Sequence, residues 1–338
     1  MNILLTSTGR RTYLVEYFKQ ALNSNGKVFS ANSNYTYSLS QADEYVITPL
    51  IHSDEYIPFL LDFCIENKID VIISLFDVDL SVLSKNIDVF KSNGIKVVIS
   101  SPEVIDICND KWLTYQFLID NKINTPKTFI NKELAITEIE LGNLVYPVIL
   151  KPRWGMGSIG IYRADNLNEL NVFYRKIKSE ILNSYLKYES LESIDSSILI
   201  QQCIKGREYG VEVINDLDSN YVNTLCKVKL AMRSGETDQA MTINDPSLMT
   251  IGEKLSKTLG HIANLDVDCL EENGEFYVLE MNARFGGQYP FSHLAGANLP
   301  LQIIEWCKGE NTNPEYITID YNVTCAKDIE PVRLSYDS

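Results

Sequence analysis

A chain of 338 residues with 45% hydrophobic content is long enough for two or three domains, each with its own core. Its formal charge of −15 argues against nucleic acid or an anionic membrane as a general partner, so local positive clusters carry more information. These stand at Arg10-Arg11, at Lys151 and Arg153, and at Lys227, Lys229 and Arg233, each a candidate anion site or a set of solvated charges. No apolar run approaches the ~20 residues of a membrane span. The arginines follow the apolar Ile3-Leu4-Leu5, the reverse of a signal peptide. The seven cysteines, from Cys64 to Cys325, include no Cys-x-x-Cys pair, so reduced thiols in a cytoplasmic protein are expected, with neither a disulfide framework nor a zinc site. His52, His261 and His293 are far apart and no Gly-x-Ser-x-Gly elbow occurs, which gives histidine-based nucleophilic catalysis little support.

Residues 2–6 read as a buried-type strand, and Ser7-Thr8-Gly9-Arg10-Arg11-Thr12 as a loop opening onto a helix over 13–22. Strands over 28–31, 69–75 and 95–100 alternate with helices over 56–67 and 80–90. This alternation predicts a parallel α/β sheet of Rossmann-like type with helices on both faces. Ligands of such sheets bind at the carboxyl ends of strands, so the loops 7–11 and Asp77-Val78-Asp79 are either functional or mere connections. Ser101-Pro102 starts a short helix, and Asn109-Asp110-Lys111 caps the next, through Asn121. The first domain is placed at 1–107.

A strand over 146–152 runs into Arg153-Trp154-Gly155-Met156-Gly157-Ser158-Ile159-Gly160. A second strand, not a helix, follows these glycines, so they predict a flexible hairpin rather than a dinucleotide loop. With Lys151 on the preceding strand, such a hairpin suits a flap that closes over nucleotide phosphates. After a loose polar excursion over 183–197, the strand ending in Gln201-Gln202-Cys203-Ile204 and the following Lys205-Gly206-Arg207-Glu208 form a plausible adenine rim or an ordinary hairpin. A strand over 221–232 carries Lys227 and Lys229 on one face, Gly235 turns the chain, and 247–259 is helical.

Residues 268–287 then read as two strands joined at Asn273-Gly274. Alternation puts Phe276, Val278, Glu280 and Asn282 on one face. A two-residue turn would set Asp268 opposite Leu279, and a three-residue turn would set it opposite Glu280. Only the second register makes a site, bringing two carboxylates and an amide together with Arg284 beyond, as one or two Mg²⁺ ions and a transferring phosphoryl group require. The other register leaves a half-exposed hairpin with solvated acids. A helix over 299–308 follows, and the tail after Gly309 has no assigned place.

Lys111, Lys151 with its glycine flap, residues 201–208, residues 227–236, Asp268 and Glu280-x-Asn282-x-Arg284 occur in an order that resembles the ATP-grasp superfamily, carbamoyl-phosphate-synthase-like branch. The resemblance covers most of the chain, including the 1–107 pre-ATP-grasp domain. It implies an α+β ATP-grasp region over 108–338, with a nucleotide lid at about 125–204 and a catalytic subdomain at about 205–310, while 311–338 stays unplaced. By this resemblance Lys111 and Lys151 contact ATP phosphates, and Gly155, Met156, Gly157 and Ser158 cover them. Gln201, Gln202, Cys203 and Ile204 hold adenine and Glu208 the ribose. Asp268, Glu280 and Asn282 bind Mg²⁺, two ions being expected and Mn²⁺ able to substitute. Arg284, Lys229 and Arg233 steady the transferred phosphate and the acceptor. Ser7, Gly9, Arg10, Arg11, Gly286 and Gly287 are expected to touch substrate. Two departures from the pattern are Gln202, where glutamate is frequent, and Ala283, where proline is usual.

The activity so implied is ATP-dependent ligation of a small carboxylate to an amine through an acyl phosphate, by a protein expected to be a homodimer and to bind neither nucleic acid nor membrane. The alternatives are bicarbonate activation to carbamoyl phosphate and a nucleotide-binding module without turnover.

Overall fold

The computed structural model describes residues 1–155, 160–184, 186–190 and 194–334. Its first layer is a parallel sheet of five strands in the order β3-β2-β1-β4-β5. The chain runs β1 (Ile3–Thr6), α1 (Thr12–Leu22), β2 (Val28–Asn32), α2 (Tyr37–Gln41), β3 (Glu44–Ile47), α3 (Tyr56–Glu66), β4 (Val71–Ser74), α4 (Asp77–Ser84), α5 (Ile87–Lys91) and β5 (Lys96–Val97). Four strands were not all: β3 joins at the edge, where Glu44, Tyr45 and Ile47 are exposed, so it lacks the apolar run by which buried strands are read. The helix expected over 80–90 is two helices, and it begins at Asp77, so Asp77 and Asp79 sit in a first helical turn rather than a loop.

Two capped helices lead out of this layer. In α6 (Pro102–Asn109) Ser101 accepts from the Val104 N–H, and in α7 (Lys111–Asp120) Asp110 accepts from the Trp112 and Leu113 N–H groups. A small antiparallel sheet follows, built from β6 (Thr128–Phe129), α8 (Lys132–Glu140), β7 (Val148–Pro152), β8 (Tyr162–Ala164), α9 (Leu167–Leu182), α10 (Lys187–Ser190) and β9 (Ile198–Gln202), in the order β6-β9-β7-β8. Its core is its own: Val148, Leu150, Ile198 and Ile200 pack against Leu170, Ile177 and Ile181 of α9.

The large antiparallel sheet consists of β10 (Arg207–Asn215), β11 (Tyr221–Arg233), β12 (Glu236–Ile243), α11 (Pro246–Leu259), β13 (Ala263–Glu272) and β14 (Glu275–Asn282), then α12 (Tyr289–Leu294), α13 (Leu299–Lys308) and β15 (Thr324–Ala326). Its order is β14-β13-β10-β11-β12-β15, so the tail that had no assigned place supplies an edge strand. First layer and large sheet share their cores. Leu4, Ile72 and Leu83 cluster with Val211, Val267 and Met281, while Leu14 and Phe18 of α1 cluster with Phe285, Tyr289 and Ile303. The carboxyl ends of β1 and β4 are thereby pressed against the segment after β14.

Candidate active site

The turn between β13 and β14 has two residues: Asn273 and Gly274 have φ of 56° and 84°, and Glu272 stands opposite Glu275. A regular ladder from that turn would put Asp268 opposite Leu279. Instead Cys269 faces Val278 and Asp268 faces Glu280, which leaves Leu279 as the extra residue of a β-bulge. The three-residue turn is thus replaced by a shorter turn plus a bulge, with the same two acids opposed. The bulge also resets the alternation. Leu279 and Glu280 both line the cleft, whereas Val278 lies in the core with Met281 and Phe276 packs against it, not on the face of Glu280 as the unbroken period implied.

A cleft of about 370 Å³ opens beside this pair. Lys111, Lys151 and Gly155 line it, as do Gln201, Gln202, Cys203 and Ile204 at the end of β9, and Glu208 with Asp268 and Glu280. Met156, Gly157 and Ser158 lie outside the described residues. The apolar lining, Ile149, Trp154, Ile161, Met232, Leu270 and Leu279, was not read from the sequence. Leu270 could have been, by period two from Asp268; the others meet only through folding. A cleft of this size with apolar walls and a polar end suits a small planar ligand bearing an anion.

Charge is concentrated at the acid pair. Lys111 donates from Nζ to the Gly155 carbonyl at 2.6 Å and stands 3.6 Å from Glu280 Oε2. Lys151 is buried on β7, and burial, then the neighbouring Lys111, push its pKa down to about 8 against the pull of Glu280. Burial works to raise Glu280, but Lys111, Lys151, Lys229 and Arg284 outweigh it and hold this carboxyl below its usual value. Lys229 Nζ lies 2.6 Å from Asp268 Oδ1 and 3.8 Å from Glu208 Oε2. Burial pushes Asp268 up to about 6; Lys229 opposes this, and the adjacent Asp266 and Glu280 add to it. Asn282 stands opposite Asp266, one pair further along the face that bears Glu280.

The donor set suits Mg²⁺. Among the described residues no group of three or more His, Cys, Asp or Glu is arranged to hold a metal ion. Mg²⁺ is characteristically held by one or two carboxylates and otherwise by water and phosphate oxygen, and Asp268 with Glu280 provides such a pair.

Arg284 is fixed between two acids, Nη2 at 2.8 Å from Asp77 Oδ2 and Nη1 at 3.4 Å from Asp266 Oδ2. Burial would lower its pKa, but Asp77 and Asp266 raise it. Asp266 was missed in the sequence, although Asp266-x-Asp268 on one strand puts both on one face. Gln288 donates to Asp266, and a Cβ at Gly286 would lie 2.1 Å from the Asp266 carboxyl carbon, so that approach requires glycine. Arg11 caps α1 half-buried, its pKa lowered by burial and by Arg284.

The remaining expected site residues are placed differently. Ser7 donates to Asp79 at 3.1 Å, an acid that also receives Thr6, Ser74 and Tyr56, and the Gly9 carbonyl accepts from Ser38. Both shape the loop that carries Arg11. Arg10 is exposed. Arg233, at the tip of the β11–β12 hairpin, is half exposed and pairs with Asp238 at 2.9 Å. Lys227 shares a face with Lys229, yet α12 covers it there; it is fully buried, 2.8 Å from Glu212 and 2.6 Å from Ser292. Of that third cluster only Lys229 adjoins the cleft. Arg153 is a neighbour of the cleft rather than its lining, clamping Asp110 with Nε and Nη2 at 2.7 and 2.6 Å.

Known proteins resemble this chain over most of its length. The family model of the ATP-grasp domain matches residues 108–288, and that of the PylC-like N-terminal domain residues 3–98. The D-alanine–D-alanine ligase of Petrotoga mobilis is 27% identical over 209 residues, 56% of this chain and 61% of that protein. The carbamoyl phosphate synthase arginine-specific large chain of Bacillus subtilis is 23% identical over 58% of this chain, which spans only 18% of that protein. The crystal structure of an L-amino acid ligase from Bacillus licheniformis superposes with a TM-score of 0.73 at 18% identity, covering 98% of this chain and 81% of that one. Since the ATP-grasp match runs over more than half of its length, the chain belongs to the ATP-grasp family.

Proposed function

We propose that the protein is an ATP-dependent carboxylate–amine ligase that works through an acyl phosphate and releases ADP and phosphate. The observation that carries this reading is the opposition of Asp268 and Glu280 at the end of a cleft that also holds Lys111 and Lys151. In this reading the base lies along the apolar lining near 201–204, with its ribose at Glu208. The phosphates run to Lys111 and Lys151, next to Gly155. Asp268, Glu280 and Asn282 would hold Mg²⁺, two ions in this proposal, with Mn²⁺ able to substitute. When bound, the metal would draw phosphate oxygens together and neutralise their charge.

A substrate carboxylate held near Arg11, Gly286 and Gly287 attacks the γ-phosphorus, and the bond to the ADP oxygen breaks. Arg284, immobilised by Asp77 and Asp266, presents a fixed guanidinium to the transferring group. A neutral amine then attacks the acyl carbon, phosphate leaves, and the amine proton passes to solvent. Positioning and charge neutralisation are the main demands, so no dedicated base is needed. Arg233 takes part only if it leaves Asp238. The chain works as a homodimer in this proposal.

The test is ADP and phosphate release from MgATP across carboxylates crossed with amines, with bicarbonate as one row. Release that requires one carboxylate and one amine supports the ligase; release with bicarbonate alone favours carbamoyl phosphate formation. Glu280→Gln is expected to lower turnover by at least ~100-fold with melting unchanged, because a charge facing the phosphates is lost. Unchanged turnover would remove the acid pair from the mechanism.

A further inference from the structure

The C-terminal segment lies beyond both matched family ranges, yet it returns to the edge of the proposed acceptor site. β15 adds to β12 in antiparallel register, with Gln239 opposite Ala326 and Met241 opposite Thr324. Thr242 fixes the approach, its N–H donating to the Val323 carbonyl at 3.0 Å and its hydroxyl to the Asp320 carbonyl at 2.7 Å. This strap delivers Lys327. The Lys327 N–H donates to the Asp238 carbonyl at 2.8 Å. Its ammonium lies 3.3 Å from Glu236 Oε2 and 5.9 Å from the centre of the Phe291 ring. A Cβ placed on Gly287 would stand 3.5 Å from the same ammonium, so the strap abuts the glycine pair that follows Arg284.

The acids and cations around this space are engaged very unequally. Arg284 is buried and held by Asp77 and Asp266. Arg11 makes no side-chain hydrogen bond or ion pair among the described residues; burial and Arg284 lower its pKa, while Tyr13, Asp77 and Asp266 oppose them. Lys327 is held by a carboxylate whose side chain is 58% exposed, a kind of pair that adds little stability and exchanges readily for another anion. A lysine kept over an aromatic ring by so weak a pair is poised rather than structural.

We propose that Lys327 is a specificity-determining residue that binds a carboxylate of the acceptor substrate beside Gly287. The word substrate rests on the ligase reading above; the anion site itself does not. In the free protein Glu236 holds the ammonium in place, and an incoming carboxylate takes it over. Because the strap lies outside the matched family ranges, it sets acceptor preference independently of the nucleotide cleft.

The test uses the full chain and its Lys327→Met and Lys327→Arg variants. Calorimetry in the presence of MgADP measures the binding of L-glutamate, L-alanine and succinate as carboxylate probes. The expected result is that at least one probe binds, that Lys327→Met weakens it ~10-fold or more, and that Lys327→Arg restores most of the affinity. The affinity for MgATP and the melting temperature should stay as in the parent chain. Absence of binding by all three probes, equal binding by Lys327→Met, or a parallel loss of MgATP affinity would each overturn the assignment. ADP release by the same proteins separates the two readings. Lys327-dependent probe binding without turnover under any amine would leave the anion site and remove the ligase. Turnover with an unaltered KM for the carboxylate in Lys327→Met would do the reverse.

Discussion

At the scale of single residues, two buried lysines serve different ends. Lys151 titrates near 8 because it is buried beside Lys111, so it is charged below that pH and loses charge as pH rises through it. Phosphate favours the charged form, so binding above pH 8 must draw a proton onto Lys151. The affinity for MgATP is therefore expected to be level near pH 7 and to fall above pH 8 by up to ~10-fold per pH unit. Calorimetry from pH 7 to 9.5 checks this; Lys151→Arg should flatten the profile, and a level profile in the parent chain would contradict the account. Lys227 has no such role, being sealed with Glu212 and Ser292 beneath α12. Glu212→Ala strands that ammonium and is expected to cost about 3–5 kcal/mol in denaturant unfolding, whereas the double variant Glu212→Leu with Lys227→Met, which removes both charges, recovers most of it. Equal stability of Glu212→Ala and the parent chain would refute a sealed ion pair. Sequence alone could not separate Lys227 from Lys229, because both obey the same period on β11 and only the position of α12 distinguishes them.

At the scale of elements, the β13–β14 hairpin was legible in its turn and its acids but not in its register. Asn273-Gly274 announces a tight turn, and the need for two opposed carboxylates announces the outcome. The bulge at Leu279 that reconciles them has no local signature, since an extra residue is tolerated wherever neighbouring strands permit the twist. The helix caps at Ser101 and Asp110 were readable because a cap is a local hydrogen bond. The edge strand β3 was not, because half of its pattern is solvent. A second connection legible only in the fold is the clamp of Arg153 on Asp110, which ties the end of β7 to the start of α7 where Lys111 begins. Losing it should let the two phosphate-binding lysines drift apart. Arg153→Met is expected to weaken MgATP binding by about 10-fold, the order of one charge-assisted contact, and to lower the melting temperature, since the buried Asp110 carboxylate keeps only its helix-cap donors. Fluorescence titration with a nucleotide analogue measures it; parent-like affinity would show that the clamp does not position Lys111.

At the scale of the whole molecule, the three sheets formed by the described residues divide the work unequally. The first layer and the large sheet share two cores and behave as one body, so the loop bearing Arg11 and the helix start bearing Asp77 are presented to Arg284 across a packed seam. The small sheet keeps its own core and contributes one wall of the cleft. The small sheet, from 128 to 202, falls within the nucleotide lid that the resemblance puts at about 125–204; the polar lining of the cleft is legible in the sequence, whereas its apolar walls are not. The strap of β15 was not foreseeable, because three residues of edge strand far from their partner leave no periodic trace. No helix among the described residues is long and apolar enough to cross a membrane. The central claim is that the γ-phosphoryl group of ATP passes to a carboxylate oxygen, and isotope transfer tests it most directly. The carboxylate that supports ADP release is labelled with ¹⁸O on both oxygens, and the released phosphate is analysed by mass spectrometry. The account predicts one ¹⁸O in each phosphate formed, carried over when the amine displaces it from the acyl phosphate. Phosphate without label, at the same rate of ADP release, would mean that water takes the phosphoryl group and would contradict the mechanism.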